Sequence, residues 1–177
     1  ARAWSEVRLR NQRWLEQWES SSPQSWQLRS TRTAWIDMCG ALRAAGRAGT
    51  MLPFMIDVDD AVAGQVNAAN VVWGTARTCS VGYWVDERVA GRGITPMAVA
   101  MLVDHLFSIG LHRVEVDIRP ENAASLRVAE KLGLRREGYR ERYLDIGGGW
   151  RDHILFALVR EELGLTPLRD RVAPVRR

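Results

Sequence analysis

Hydrophobic and polar positions alternate with two different periods along the 177 residues of the chain. Trp4, Val7, Trp14, Leu15 and Trp18 recur with charges between them, which predicts an amphipathic helix over 1–18. Ser20, Ser21, Ser22 and Pro23 stop it. A second helix is predicted over about 33–45, ended by Gly46. Alternation with period two follows. Residues 52–58 read as a strand, Asp59-Asp60 as a turn, 61–73 as a second strand, and 78–85 as a third after a turn at Gly74-Thr75, which makes an antiparallel meander. Ile94, Met97, Ala98, Met101, Leu102, Leu106 and Ile109 then return to helical spacing and stop at Gly110. Residues 113–119 alternate strictly, and Pro120 ends that strand. A short helix over 122–132 closes at Gly133. Two more strands, 134–146 and 150–159, flank a glycine turn at 147–149.

This order predicts a mixed α+β fold, with a parallel crossover from the third strand to the fourth through the helix at 94–109. Residues 1–160 read as one domain. The tail over 161–177, with Pro167, Pro174 and several arginines, is expected to be loosely ordered. The length suits a single hydrophobic core.

Composition narrows the class of protein. Hydrophobic residues at 46% and charged residues at 26% are ordinary globular usage. No apolar stretch approaches the roughly 20 residues of a membrane helix. The opening ARAWSEVRLR carries no signal-peptide core. Cys39 and Cys79 lie far apart with no metal-like spacing and read as free thiols of a reducing cytosol. A cytoplasmic protein with neither a metal nor a membrane partner is therefore expected. The net charge of +4 fits contact with acidic surfaces, and equally a solvated basic surface. No basic stretch is dense enough to argue for direct nucleic-acid readout.

The chemistry concentrates in Gly82-Tyr-Trp-Val-Asp-Glu-Arg-Val-Ala-Gly-Arg-Gly-Ile-Thr-Pro96, where a strand leads through a glycine loop into a helix. Gly91 and Gly93 let the backbone approach a phosphate. The free N–H groups of the helix's first turn then face the anion, and Pro96 in that turn wastes no donor. No lysine followed by Ser or Thr is present, so this is no P-loop. The loop follows a meander and lacks GxGxxG, which argues against a dinucleotide fold.

Arg88-x-x-Gly91-x-Gly93 resembles the Q/R-x-x-G-x-G/A signature of the GNAT acetyltransferases, the loop that holds the CoA pyrophosphate. Asn122-x-x-Ser125-x-x-x-x-Glu130-Lys131-x-Gly133 is similar to a second pattern of that family. Glu137-Gly138, Tyr143 and Trp150-Arg-Asp-His153 resemble the closing hairpin of its RimJ/RimL group. So do Asn70-Val-Val-Trp-Gly74 and Gly82-Tyr83. The matches run in order over about 52–160. The resemblance implies the GNAT fold, a mostly antiparallel central sheet with flanking helices, in which the fourth and fifth strands of the family's count splay apart. Members open with a strand ahead of the first helix. Here the sequence opens at Ala1 already inside the helical pattern, and that strand has no visible counterpart.

The resemblance further implies an N-acetyltransferase that uses acetyl-CoA as donor and acts on the N-terminal α-amine, alanine above all, of a ribosomal or similar protein. Gly91 and Gly93, with the N–H groups of Val89, Arg92, Ile94 and Thr95, would hold pyrophosphate, and Arg88 and Arg92 would add charge. The main chain of Tyr83, Trp84 and Val85 would pair with the pantetheine arm and polarise the thioester carbonyl. Asn122 would reach the same arm, or act as a helix N-cap. Ser125, one turn on, would protonate the leaving thiolate. Trp18, Glu19, Asn67 and Asn70 would bind the acceptor, with a turn role equally open for Asn70. Trp4, Trp14 and Trp35 are assigned to packing. No acid lies within 77–85 to serve as base. Asp152, Glu141, Tyr143 and Glu19 are candidates, with a structural role favoured for Asp152. Two alternatives stand beside this reading. One is transfer to a small amine, such as an aminoglycoside or polyamine, or from succinyl-CoA. The other is a CoA-binding module without turnover.

Overall fold

A computed structural model describes residues 1–175 of the chain. Its elements in order are α1 (Arg2–Arg10), α2 (Gln12–Leu15), a 3-10 turn (Glu16–Trp18), α3 (Trp26–Arg29), α4 (Arg32–Arg47), β1 (Leu52–Val58), β2 (Ala61–Val72) and β3 (Thr78–Val85). A 3-10 turn (Glu87–Val89), α5 (Ile94–Ser108), β4 (Arg113–Ile118), α6 (Ala123–Lys131), β5 (Arg135–Asp145), β6 (Trp150–Val159), a 3-10 turn (Arg160–Leu163) and α7 (Leu168–Arg171) complete it. All six expected strands form, each within two residues of its predicted bounds.

Three helical expectations need correction. The helix over 1–18 breaks at Asn11 (φ −97°, ψ 17°). The Asn11 amide donates to Val7 O and to the Asp86 carboxylate, while its oxygen accepts from the Glu87 N–H, so the break is tied to the loop after β3. The serine-rich stretch contains α3, which starts when the Ser25 hydroxyl caps the Leu28 N–H, and which buries Trp26. The tail is ordered as far as it is described. Leu168 is fully buried, and Asp104 on α5 accepts the Leu168 and Arg169 N–H groups. Residues 176–177 of that tail lie outside the described residues.

The sheet order is β1-β2-β3-β4-β6-β5. Every neighbouring pair is antiparallel except β3–β4. Alternation gives the sheet an apolar face, against which α5 packs Val99, Ala100, Val103 and Leu106 without exposure. The opposite face carries α1, whose Trp4 indole donates to Gln65 on β2. A smaller buried cluster of Trp4, Val7, Leu15 and Trp26 sits there, outside the main core.

The parallel pairing is short. Thr78–Ser80 lie opposite Arg113–Glu115, and there it stops. Beyond this point 81–85 pair only with β2, and 116–118 only with β6. The two strands therefore diverge, and each keeps one unpaired main-chain edge. Gly64, opposite Val85, lets β2 approach the end of β3 closely. A Cβ on Gly64 would lie 2.2 Å from the Trp84 carbonyl oxygen. Gly64→Ala is thus expected to destabilise the fold by about 1–3 kcal/mol, read as a lower denaturant midpoint; an unchanged midpoint would contradict this close approach.

Candidate active site

The divergence of β3 and β4 opens into a cleft of about 790 Å³. One wall is the main chain of 82–85, the loop through Val89, Gly91 and Gly93, and the first turn of α5. The first turn of α6, with Asn122 and Ser125, forms the floor. At the other mouth stand Trp14, Trp18, Glu19, Ser20, Arg29, Asn67 and Ile146. The hairpin turn after β5 closes over this mouth, with Gly147 N–H donating to Glu19 O, and from the end of β4 Arg119 donates to Gln17 O while lying 5.1 Å from the Trp18 ring.

The glycine loop has the shape of an anion cradle. Gly91 and Gly93 sit at φ +80° and +88°, a region costly for other residues, and a Cβ on Gly91 would point into open space. α5 starts directly after Gly93, so its first N–H groups border the cleft. The loop is anchored from behind by Asp86. Burial pushes the Asp86 carboxyl up, but Arg10, Asn11 and the Arg88 N–H together hold it below its ordinary 3.8. An adjoining hollow of about 330 Å³ is lined by Arg92, Lys131, Arg171 and the tail at 172–174. The tail thus reaches the cradle, with Pro174 O 3.8 Å from the Cβ position of Gly93.

Trp14 donates its indole N–H to Val85 O, and so fixes the end of β3. Tyr83 lines the cleft from the α5 face, and its hydroxyl is buried with no partner in hydrogen-bonding geometry. Burial pushes this phenol up to about 12, with the Ser125 side chain acting in the opposite sense. Asn67 Oδ1 is likewise buried and unpartnered. Glu19 is engaged on both oxygens: Arg8 binds both, and Arg29 approaches at 3.3 Å. The Arg8 side chain is 6% exposed and stacks 4.1 Å from Trp26 and 5.3 Å from Trp84. Asn122 is the N-cap of α6, its oxygen accepting from the Ser125 N–H at 3.0 Å.

A GNAT acetyltransferase domain model matches residues 3–135, which is most of the chain. The chain belongs to the GNAT acetyltransferase family. It is an N-acetyltransferase, and acetyl-CoA is its acyl donor. A structure of Mycobacterium smegmatis RimJ in complex with CoA-disulfide is similar over 96% of this chain and 81% of that one, at 43% identity and a TM-score of 0.93. The [Ribosomal protein uS5]-alanine N-acetyltransferase of Escherichia coli (strain K12) is 29% identical over 84% of this chain and 76% of its own length. Probable N-acetyltransferase YjcK of Bacillus subtilis (strain 168) is 36% identical over 57% of this chain, and the match spans 56% of that relative.

In this GNAT domain the fold brings together most residues singled out from the sequence: Trp18, Glu19, Asn67, Tyr83, Trp84, Val85, Val89, Gly91, Gly93, Ile94, Thr95, Asn122 and Ser125 all line the cleft. Arg92 lines the adjoining hollow, and Arg88 lines neither. Asn70 sits at φ +51° in an irregular, exposed stretch of β2, away from the cleft. Three of the candidate bases also lie elsewhere. Asp152 accepts from the Tyr139 hydroxyl and the Arg142 N–H, which hold its carboxyl below the ordinary range. Tyr143 packs edge-on against His153, and Glu141 is exposed on β5.

Trp4 and Trp35 pack together as expected, 4.8 Å apart. Trp14 belongs to the site as well as to the packing. Arg8 and Arg29, which the sequence did not single out, hold Glu19. Burial pushes the Cys79 thiol up to about 12, which suits no nucleophile. Among the described residues no His, Cys, Asp and Glu cluster could hold a metal, and no helix is long and apolar enough to cross a membrane.

The Asp86 anchor gives a pH-dependent prediction. A carboxyl held low in the folded state contributes stability above its unfolded value, and that contribution is lost as pH falls through it. The native chain should therefore lose stability relative to Asp86→Asn as pH falls from neutral through the ordinary carboxylate range and below it, measured by thermal melts. Parallel pH profiles would contradict the anchor.

Proposed function

We propose that this enzyme moves the acetyl group of acetyl-CoA to the N-terminal α-amine, alanine first, of a ribosomal or other cytoplasmic protein, by direct attack in a ternary complex. The observation that carries this reading is the absence of a free carboxylate among the described residues that line the cleft. The acids there are Glu19 and Glu121. Glu19 is clamped by Arg8 and Arg29, and Glu121 is paired with Arg119 and mostly exposed. An α-amine has a pKa of about 7.7–8.0, against about 10.4 for lysine, so near neutrality a useful fraction needs no strong base. The name of the uS5-alanine relative points the same way.

The chain's groups then divide the work. The N–H groups over 91–95 bind pyrophosphate, with charge from Arg92 in the adjoining hollow. Asn122 caps α6 with its oxygen, so its amide N–H is the part available to the pantetheine arm. The unpaired main chain of 83–85 aligns that arm and donates to the developing oxyanion. Asn67 Oδ1, buried without a partner, accepts a hydrogen bond from the attacking amine. Trp18 walls the acceptor mouth. The Ser125 hydroxyl gives its proton to the leaving thiolate, which needs only modest help because a thiol's pKa is about 8.5.

A small polycation fits this cleft poorly, because Arg29, Arg127 and Lys131 outnumber Glu19 and Glu121 in its lining. The test is thiol release from acetyl-CoA with two peptides. One has a free N-terminal alanine and no lysine, the other a blocked N-terminus and one lysine. Turnover on the first alone is expected. Turnover on the lysine peptide alone would overturn the reading. Tight acetyl-CoA binding with turnover on neither would favour a non-catalytic module or a small acceptor. Gly91→Trp is expected to weaken acetyl-CoA binding at least about 100-fold, since the side chain would enter the space kept for pyrophosphate; retained affinity in a calorimetric titration would refute the cradle.

A further inference from the structure

The hollow beside the glycine loop is continuous with the cleft, because Gly91, Gly93, Pro96 and Lys131 line both. Its remaining walls are Arg92, Arg171 and the tail at 172–174. Three of its lining residues are cations and none is an acid. Arg92 already serves the pyrophosphate, but Lys131 and Arg171 have no use in the reaction so far. Lys131 is exposed and makes no ion pair among the described residues. Arg171 donates to Glu162 O and Leu163 O, main-chain carbonyls that fix its guanidinium and leave its charge in place. The tail that carries Arg171 is itself held: Leu168 is buried, and Asp104 accepts the Leu168 and Arg169 N–H groups. Two cations thus border a concave space from two separate elements, the end of α6 and the end of α7.

We propose that this hollow receives the 3′-phosphate of the donor's adenosine, held by Lys131 and Arg171, with the tail as its outer wall. The inference rests on the reading of the glycine loop as the pyrophosphate cradle. In CoA the pyrophosphate joins the pantetheine arm to an adenosine whose ribose bears a further phosphate. The arm occupies the cleft, so the nucleoside leaves the cradle through the other space that Gly91 and Gly93 border. α6 spans the two ends of that path. Its N-cap Asn122 stands at the cleft floor and its last residue, Lys131, at the hollow. Its nine residues, at about 1.5 Å each, separate the two ends by about 14 Å. A phosphate monoester carries close to two charges at neutral pH, since its second pKa is about 6, and so gains most from a pair of cations. Pro96, Val172, Ala173 and Pro174 add an apolar side that suits the sugar and base beside it. The volume of about 330 Å³ is small for a ligand site, which fits one end of the donor rather than a second molecule.

The test is calorimetric titration of the full chain with acetyl-CoA and with 3′-dephospho-acetyl-CoA. The two ligands share the thioester, the arm and the pyrophosphate, and differ in the 3′-phosphate alone. The native chain should bind acetyl-CoA about 10- to 50-fold more tightly. Lys131→Ala should bring this preference below about threefold by weakening acetyl-CoA alone, and Lys131→Arg should keep most of it. Arg171→Gln should lower the preference as well, by about threefold or more. Equal affinity of the native chain for the two ligands would overturn the inference. So would a preference that survives both Lys131→Ala and Arg171→Gln, because the phosphate would then lie elsewhere. Equal weakening of both ligands in these variants would make the two residues supports of the cradle and the tail, and would overturn the assignment too. Failure of the cradle reading looks different: Gly91→Trp would then bind both ligands as tightly as the native chain does.

Discussion

Pairing between β3 and β4 lasts for three residues and then ends, and the site is built on that ending. Below Ser80 the strands share a parallel ladder. Above it, each satisfies only the neighbour on its far side. Unpaired strand backbone away from water is costly unless something bonds to it. At one place the cost is relieved, where the Trp14 indole donates to the Val85 carbonyl. The same divergence opens the cleft that the first turns of α5 and α6 line.

The opposite side of the cleft is held by electrostatics in a dry setting. Arg8 is enclosed by Trp4, Trp26 and Trp84, and its fork binds both oxygens of Glu19. Cation–π contacts of a desolvated guanidinium contribute about 2 kcal/mol or more. A buried pair of this kind is more a device for fixing geometry than a net source of stability. Its effect is to lock Glu19 in place, and with it the segment from Gln17 to Ser21 that the hairpin turn grips through Gly147 and Gly148. A carboxylate held this way supplies shape rather than basicity.

The periodic part of this architecture was legible in the sequence. Strand alternation and the helical spacing at 94–109 each report a single buried face, and a single face leaves a clear period. The turn into α5 was legible because glycines at 91 and 93 before a helix have a local meaning. The break at Asn11 was not, because its cause, the Asp86 carboxylate, lies 75 residues away. The same holds for the order of the tail, which depends on Asp104 accepting two N–H groups of α7. Glu19 was visible as a charge near a tryptophan, but whether it is free or clamped depends on Arg8 and Arg29, which only the packing of three helices brings together. Asn70 was misleading for a local reason: its positive φ places it at an irregularity of β2 and out of the groove.

The central claim is that main-chain groups of the diverging strand and of the glycine loop hold the donor. Amide hydrogen exchange with and without saturating acetyl-CoA tests it most directly, since it reads each N–H separately. The account predicts slower exchange on binding at 83–85 and 91–95, with little change over β5 and β6. Binding that leaves both segments unchanged and protects other amides would contradict it.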